Sequence, residues 1–155
     1  MNPQINCKYD RLLALNEFIP NDKNKNSHPK GQIDRLIKLF KYQGIRHPII
    51  VSGLSGKIVA GHGRLEALKQ MGATQAPAVF QQFKDLDQEI AFLHSDNASA
   101  HWSDLDLAGI NEQLADFDPN FDIDLLGIED FEVEPADKPQ SDKQQKKCPH
   151  CGGEL

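Results

Sequence analysis

Apolar and polar positions alternate along the chain in several distinct rhythms. "KYDRLLAL" is short and mixed, and predicts a first strand. In "QIDRLIKLFKYQG", Ile33, Leu36, Ile37 and Phe40 recur at helical spacing, and Gly44 follows as a stop. "HPIIVS" and "KIVA" are compact apolar runs on either side of Gly53-Leu54-Ser55-Gly56, which predicts a hairpin. From Arg64 to Met71 the pattern returns to helical, with Leu65, Leu68 and Met71 on one face and Gly72 as terminator. "APAVFQQF" predicts another strand. Asp85 with Gln88 has the capping-box spacing and opens a helix to about Asn97. Ser103 is expected to open a further helix, to about Ala115. "DFDPNFDIDLLGIEDFEVEP" reads as a loop with one helical turn. "ADKPQSDKQQKK" has the composition of a linker without a core of its own. The fold class expected is α+β, a small mixed sheet with helices followed by an acidic helical extension.

Length adds little beyond this: 155 residues suit one domain and a tail. The organisation expected is a domain over residues 5–100, an acidic extension over 101–135, a linker over 136–147 and a cysteine-containing tail over 148–155. No run of about 18 apolar residues exists, so no membrane helix is expected. The start lacks the apolar core of a signal peptide. Three cysteines do not make a disulfide framework, and a reducing, cytoplasmic setting follows as the simple expectation.

Charge changes the picture more. Residues 1–84 hold 13 Lys and Arg against 5 Asp and Glu, whereas residues 85–137 hold 16 acids and no Lys or Arg. A basic first half attracts phosphates, and an acidic middle repels a nucleic-acid backbone. Most of those carboxylates read as a solvated face. A surface that grips DNA all over is disfavoured, as is sequence-specific DNA binding by this chain alone, because no basic recognition helix follows residue 100.

The stretch with most chemistry is "KIVAGHGRLEALKQMG". A strand becomes a helix at Gly61-His62-Gly63-Arg64. A helix N-terminus offers free N–H groups and the positive end of its dipole. Glycines admit an anion close to the backbone, Arg64 adds a planar fork, and His62 donates or exchanges a proton near neutral pH. These are the parts of a phosphate cradle. The plain structural reading stands beside it: the glycines satisfy a steric need of the turn, and Arg64 pairs with a carboxylate. The turn is not a dinucleotide fingerprint, since Glu66 stands where a third glycine belongs, and "GLSGK" is too short for a Walker loop.

Residues 9–100 resemble the ParB/sulfiredoxin superfamily, in particular the ParB-like N-terminal domains of phages and of methyltransferase neighbourhoods. The resemblance rests on "IPNDKNKNSHPKGQIDRLIKLFKYQGIRHPIIVS", "GKIVAGHGRLEALKQMG" and "HSDNASAHW" in that order. It implies a compact mixed sheet with helices, and a Gly-rich turn that binds a nucleoside triphosphate, CTP or ATP, with Mg2+. Against the partition proteins' Gly-Glu-Arg-Arg-x-Arg-Ala box, Gly61, Arg64 and Ala67 match, while His62, Gly63 and Glu66 depart and two positive charges are missing. Asp96-Asn97 resembles the Glu-Asn-x-x-Arg box, where the Asn helps to hold the Mg2+-nucleotide, and Ala100 stands where that box ends in Arg. Arg46-His47-Pro48 occupies the place of the segment that contacts base and ribose. His62 stands where sulfiredoxins carry their reactive Cys, so that chemistry is not expected.

The function implied is a phosphate-binding accessory factor for a DNA-handling partner, such as a methyltransferase or packaging protein, with a homodimer left open. The alternatives are an enzyme or a pure adaptor using segment 104–137. A phosphotransferase would draw its base from Glu66 or Asp96, and a nuclease would need a metal-carboxylate cluster. Cys148-Pro149-His150-Cys151 has zinc-knuckle spacing and supplies two of four ligands, with Cys7, a histidine or a second chain to complete them; two free thiols are the alternative. His28 before Pro29 reads as a helix cap, and His94 as facing core or site. Trp102 and His101 are expected to pack the sheet's end. Phe117, Phe121 and Phe131 read as core anchors or as an acidic-aromatic contact surface.

Overall fold

The computed structural model describes residues 2–99 and 102–128. Two compact units divide them: residues 2–99, 102–105 and 122–128 belong to the first, and 106–121 to the second. The linker and the Cys148–Cys151 knuckle lie outside the described residues, as do Ala100, His101 and Phe131.

The first unit carries four strands, β1 (Arg11–Ala14), β2 (Ile49–Ser52), β3 (Ile58–Ala60) and β4 (Gln75–Gln81), in the order β1-β4-β2-β3. β4 pairs antiparallel with β1 and parallel with β2, placing Ala78 opposite Arg11 on one side and Ile49 on the other. β2 and β3 form the expected hairpin, which a bulge shifts between Ile50 and Val51. The fold class is thus α+β with a small mixed sheet.

Helix α1 (Lys30–Gln43) buries Ile33 and Phe40 and rests Leu36 and Ile37 against the same core, so the four periodic positions share one face. Gly44 ends it at φ +73°, and its N–H bonds Phe40 O. A side chain there would also strike Gln4 O, 2.5 Å from where Cβ would stand. Helix α2 (His62–Gln70) buries Gly63, Leu65, Ala67 and Leu68. The core joins these faces to Ile45, Ile49, Val51, Ile58, Ala76 and Ala78. Helix α3 (Leu86–Ser99) packs against β3 and fully buries Leu93. Its first turn is capped as expected, with Gln88 N–H donating to Asp85 Oδ1 at 2.9 Å.

One buried carboxylate ties α3 to the hairpin. Glu89 is 3% exposed, and its two oxygens accept from Ser52 Oγ at 2.6 Å and Ser55 Oγ at 2.8 Å. Ser52 Oγ in turn accepts the N–H groups of Leu54 and Ser55. The turn between β2 and β3 is therefore organised from a helix that follows it by more than thirty residues.

Two expectations need correction. In the second unit α4 (Leu107–Leu114) is capped by Asp106, whose Oδ1 accepts from Gly109 N at 3.0 Å, and not by Ser103. Trp102 does not pack the sheet's end: it is 75% exposed. Phe117 and Phe121 meet edge-to-face at 5.0 Å in the second unit, with Phe117 still exposed. A short 3-10 turn at Ile123–Leu126 is the one helical turn expected of the acidic loop, and Asp124 accepts from Lys38 Nζ at 2.6 Å. Among the described residues no helix is long and apolar enough to cross a membrane.

Replacing Glu89 with Ala leaves the buried Ser52 hydroxyl and the half-buried Ser55 hydroxyl without their acceptor. Urea unfolding is expected to show a loss of about 2–3 kcal/mol, with Glu89→Gln losing less; an unchanged midpoint for both would show that the hairpin does not depend on this contact.

Candidate functional site

β3 is buried along its length, so the chain must turn sharply to leave the sheet and start α2. Gly61 makes that turn as the helix N-cap at φ +102°, ψ 23°, a left-handed conformation that glycine adopts without strain. His62, Gly63 and Arg64 are then the first three helical residues. Their N–H groups fall in the first turn, where the helix supplies no acceptors.

The two glycines serve side chains as well as backbone. A Cβ on Gly61 would stand 2.9 Å from Arg64 Nη2 and 3.0 Å from its Nε, so the guanidinium folds back over the start of its own helix. A Cβ on Gly63 would stand 3.1 Å from His28 Nδ1 and 3.3 Å from its Cε1. His28 is therefore not a helix cap: Pro29 holds that position, and the imidazole lies on Gly63.

Arg64 sits in an unusual electrostatic position. It is largely buried at the positive end of a helix dipole, and its Nε finds no hydrogen-bond partner among the described residues. Burial pushes the guanidinium below its ordinary value, while Asp96 and then Cys7 oppose that through space. Burial likewise raises the Cys7 thiol, with Arg64 opposing. The carboxylate pairing expected on structural grounds takes this weak, distant form. His28 Nε2 is also buried without a partner. Unpartnered buried nitrogens are costly, about 1–3 kcal/mol each, and two of them meet at this turn.

The loop before α1 covers the same place. Ile58 N–H donates to Ile19 O at 2.9 Å, Lys57 pairs with Asp22, and Asn21 N–H donates to His62 Nε2 at 3.2 Å. The loop thus reaches its far end pinned, and there His28 Nδ1 lies 2.9 Å from Gln32 Oε1. Beyond His28 opens a cleft of ≈ 660 Å3, whose walls include Lys25, His28, Gln32, His94, Asp96 and Asn97. Gly61–Arg64 does not line it; His28 stands between.

The structure brings only part of the expected set together. Gly61, His62, Gly63 and Arg64 form the turn, and Asp96 and Asn97 lie on α3 across the cleft, Asn97 Nδ2 donating to Leu93 O at 2.8 Å. Glu66 points elsewhere: it is exposed and accepts from Gln70 Nε2 at 3.1 Å, one helical turn on. Arg46 lines a different cleft of ≈ 1030 Å3, together with Gln70 and Met71 at the far end of α2, and donates through Nε to Gln43 O. His47 beside it is exposed and Pro48 half-buried. His94 is exposed on the cleft rather than in the core. Two contributors went unread in sequence, Asn21 and the imidazole of His28. Their signal is the polar, lysine-rich loop closed by Pro20 and Pro29, which has no apolar rhythm. Among the described residues no group of three or more His, Cys, Asp or Glu is placed to hold a metal ion, and Cys7 stands by Arg64.

Residues 8–97 match the family of the ParB N-terminal domain. The ParB-like nuclease domain-containing protein YnaK of Escherichia coli K12 is 29% identical over 65 residues, 42% of this chain and 74% of that protein. Among solved structures, the C-terminally truncated chromosome-partitioning protein ParB of Caulobacter crescentus, complexed with CTP-γ-S, superposes with TM-score 0.54 at 21% identity, over 68% of this chain and 62% of that one. A Pnob8-like ParB-N domain gives TM-score 0.50 at 16% identity, over 70% of this chain and 46% of that one. The chain therefore spans less than two thirds of either solved chain, and the likeness is one of fold.

Burial, and then the neighbouring His28, push His62 below its ordinary value of 6.5. The unfolded chain then takes up this proton first as pH falls, so the stability present above pH 6.5 is lost as pH falls through the folded value. The melting temperature is expected to drop between pH 7 and 5, and His62→Gln, which keeps an acceptor for Asn21 N–H, is expected to flatten part of that drop. Parallel profiles for the two proteins would show that His62 does not titrate with folding.

Proposed function

The chain belongs to the ParB N-terminal domain family, and from that premise we propose that it is a nucleotide-binding module whose α2 N-terminus holds phosphate. One observation carries this reading: a largely buried guanidinium at the positive end of a helix, with its Nε unpartnered. An anion there satisfies the Nε–H, the first-turn N–H groups and the dipole at once. The likeness to a partition protein complexed with CTP-γ-S supports a nucleoside triphosphate such as CTP, with Mg2+ entering alongside its phosphates.

The cleft beside His28 is the route in. Lys25 and His28 line it from the loop, and Asp96 and Asn97 from α3. A ligand seated there directs its phosphates toward Arg64 and leaves its base near α3. This differs from the reading that gave base and ribose to Arg46-His47-Pro48, since Arg46 belongs to the cleft at the other end of α2. With Glu66 turned toward Gln70, Asp96 is the remaining carboxylate of the two considered as a base. We favour binding over phosphotransfer, with the module as an accessory factor for a DNA-handling partner such as a methyltransferase or a packaging protein. The name of the YnaK relative favours nuclease activity as a second reading, which a plasmid-nicking assay with Mg2+ distinguishes.

Replacing Arg64 with Ala removes charge-assisted bonds worth about 1.5–3 kcal/mol each. Calorimetry with Mg-CTP is expected to give micromolar affinity for the wild type and a loss of about tenfold or more for Arg64→Ala. A lowered melting temperature with unchanged affinity would show that Arg64 serves only the fold.

A further inference from the structure

We propose that His28, and not His62 of the turn itself, is the proton-linked contact: phosphate bound at the α2 N-terminus favours protonation of His28 Nε2 from solvent. This rests on the phosphate-binding reading above and adds its regulation by pH.

The two imidazoles near Gly63 differ at Nε2. His62 Nε2 already accepts the Asn21 N–H at 3.2 Å, so its lone pair is in use. Protonating it would set one N–H against another and release the loop at Asn21, a buried residue. His62 is thereby held as the neutral tautomer with its hydrogen on Nδ1. Burial acts in the same direction.

Among the described residues His28 lacks such a partner at Nε2. Its Nδ1 faces Gln32 Oε1 at 2.9 Å, and an amide oxygen can only accept, so Nδ1 carries a hydrogen. Nε2 is then a bare acceptor when the ring is neutral, shut away from water, with no donor to meet it among the described residues. Protonation there breaks no bond. It creates a donor, and a phosphate oxygen supplies the acceptor this nitrogen lacks.

The surrounding charges make this exchange depend on the ligand. Lys25 faces the cleft from the loop, His62 and Arg64 lie behind the ring on α2, and His94 and Asp96 face it from α3. Among the described residues named here, two permanent cations stand against one carboxylate. An arriving phosphate reverses that balance and favours a further positive charge beside it. The proton comes from bulk solvent and ends on Nε2; no covalent bond forms or breaks in the ligand.

The test is calorimetric titration of Mg-CTP into the full chain at several pH values, each in two buffers of different ionisation enthalpy. The wild type is expected to take up a fraction of a proton near neutral pH and to gain about threefold to tenfold in affinity from pH 8 to 6.5. The nucleotide's own terminal phosphate titrates near pH 6, and this contribution is common to every variant. His28→Gln is expected to lose the extra uptake and flatten the profile. Histidine side-chain NMR of the wild type gives an answer independent of variant folding: the His28 imidazole, assigned through its contact with Gln32, changes to the charged form on adding Mg-CTP, and the His62 imidazole does not. Binding with equal proton uptake by wild type and His28→Gln, or with no imidazole changing form, overturns the proposal and leaves the phosphate site standing. No CTP binding at any pH overturns both.

Discussion

Arg64 is largely buried, with its Nε shut away, at the positive end of α2, and the local structure is arranged around that fact. A desolvated guanidinium costs several kcal/mol unless its donors and charge are met. Within the described residues the meeting is incomplete: Asp96 and Cys7 act through space, and Nε has no partner. Gly61 is what allows the arrangement. Its left-handed turn brings the chain out of a fully buried strand, and its missing Cβ gives the guanidinium room to fold back over the helix start. Without that glycine the side chain would have to leave the helix terminus, and the unmet charge would leave with it.

A second layer depends on the first. The loop from Ile19 to His28 is held onto β3 and α2 by backbone bonding at Ile58, the Lys57–Asp22 pair and the Asn21–His62 bond. Those tethers deliver His28 onto Gly63, whose own missing Cβ makes space for the ring. The glycine expected to admit a phosphate thus first admits an imidazole. The open cradle read from sequence is a covered one, with a cleft on the other side of His28. Chemistry assigned to one tetrapeptide is shared with a loop more than thirty residues earlier.

What was legible in the chain follows from range. Ile33, Leu36, Ile37 and Phe40 share a face because 3.6-residue periodicity is local, and Gly44 ends α1 for a reason contained in its own backbone. The hairpin, α2 and Gly61 were legible for the same reason. The cap of α4 was not, because Ser103 and Asp106 are both good capping residues and no buried residue on that helix selects between them. Arg46-His47-Pro48 was assigned by resemblance alone, and the cleft that Arg46 lines, at the far end of α2, is set by how α1 and α2 pack. His28 looked like a cap because only tertiary structure shows that it rests on Gly63. Glu89 gave no signal at all, as its two serine partners lie on the hairpin.

The central claim is that an anion completes the environment of Arg64. Its most direct test is the Nε–H resonance of Arg64 in the full chain, followed by 15N NMR during titration with Mg-CTP and with Mg2+ alone. A saturable shift of that resonance is expected with the nucleotide, together with the first-turn amides of His62, Gly63 and Arg64, and no comparable change with Mg2+. If these signals stay fixed at millimolar nucleotide, or if the shifts gather at Arg46, Gln70 and Met71 instead, the phosphate site is not at the start of α2.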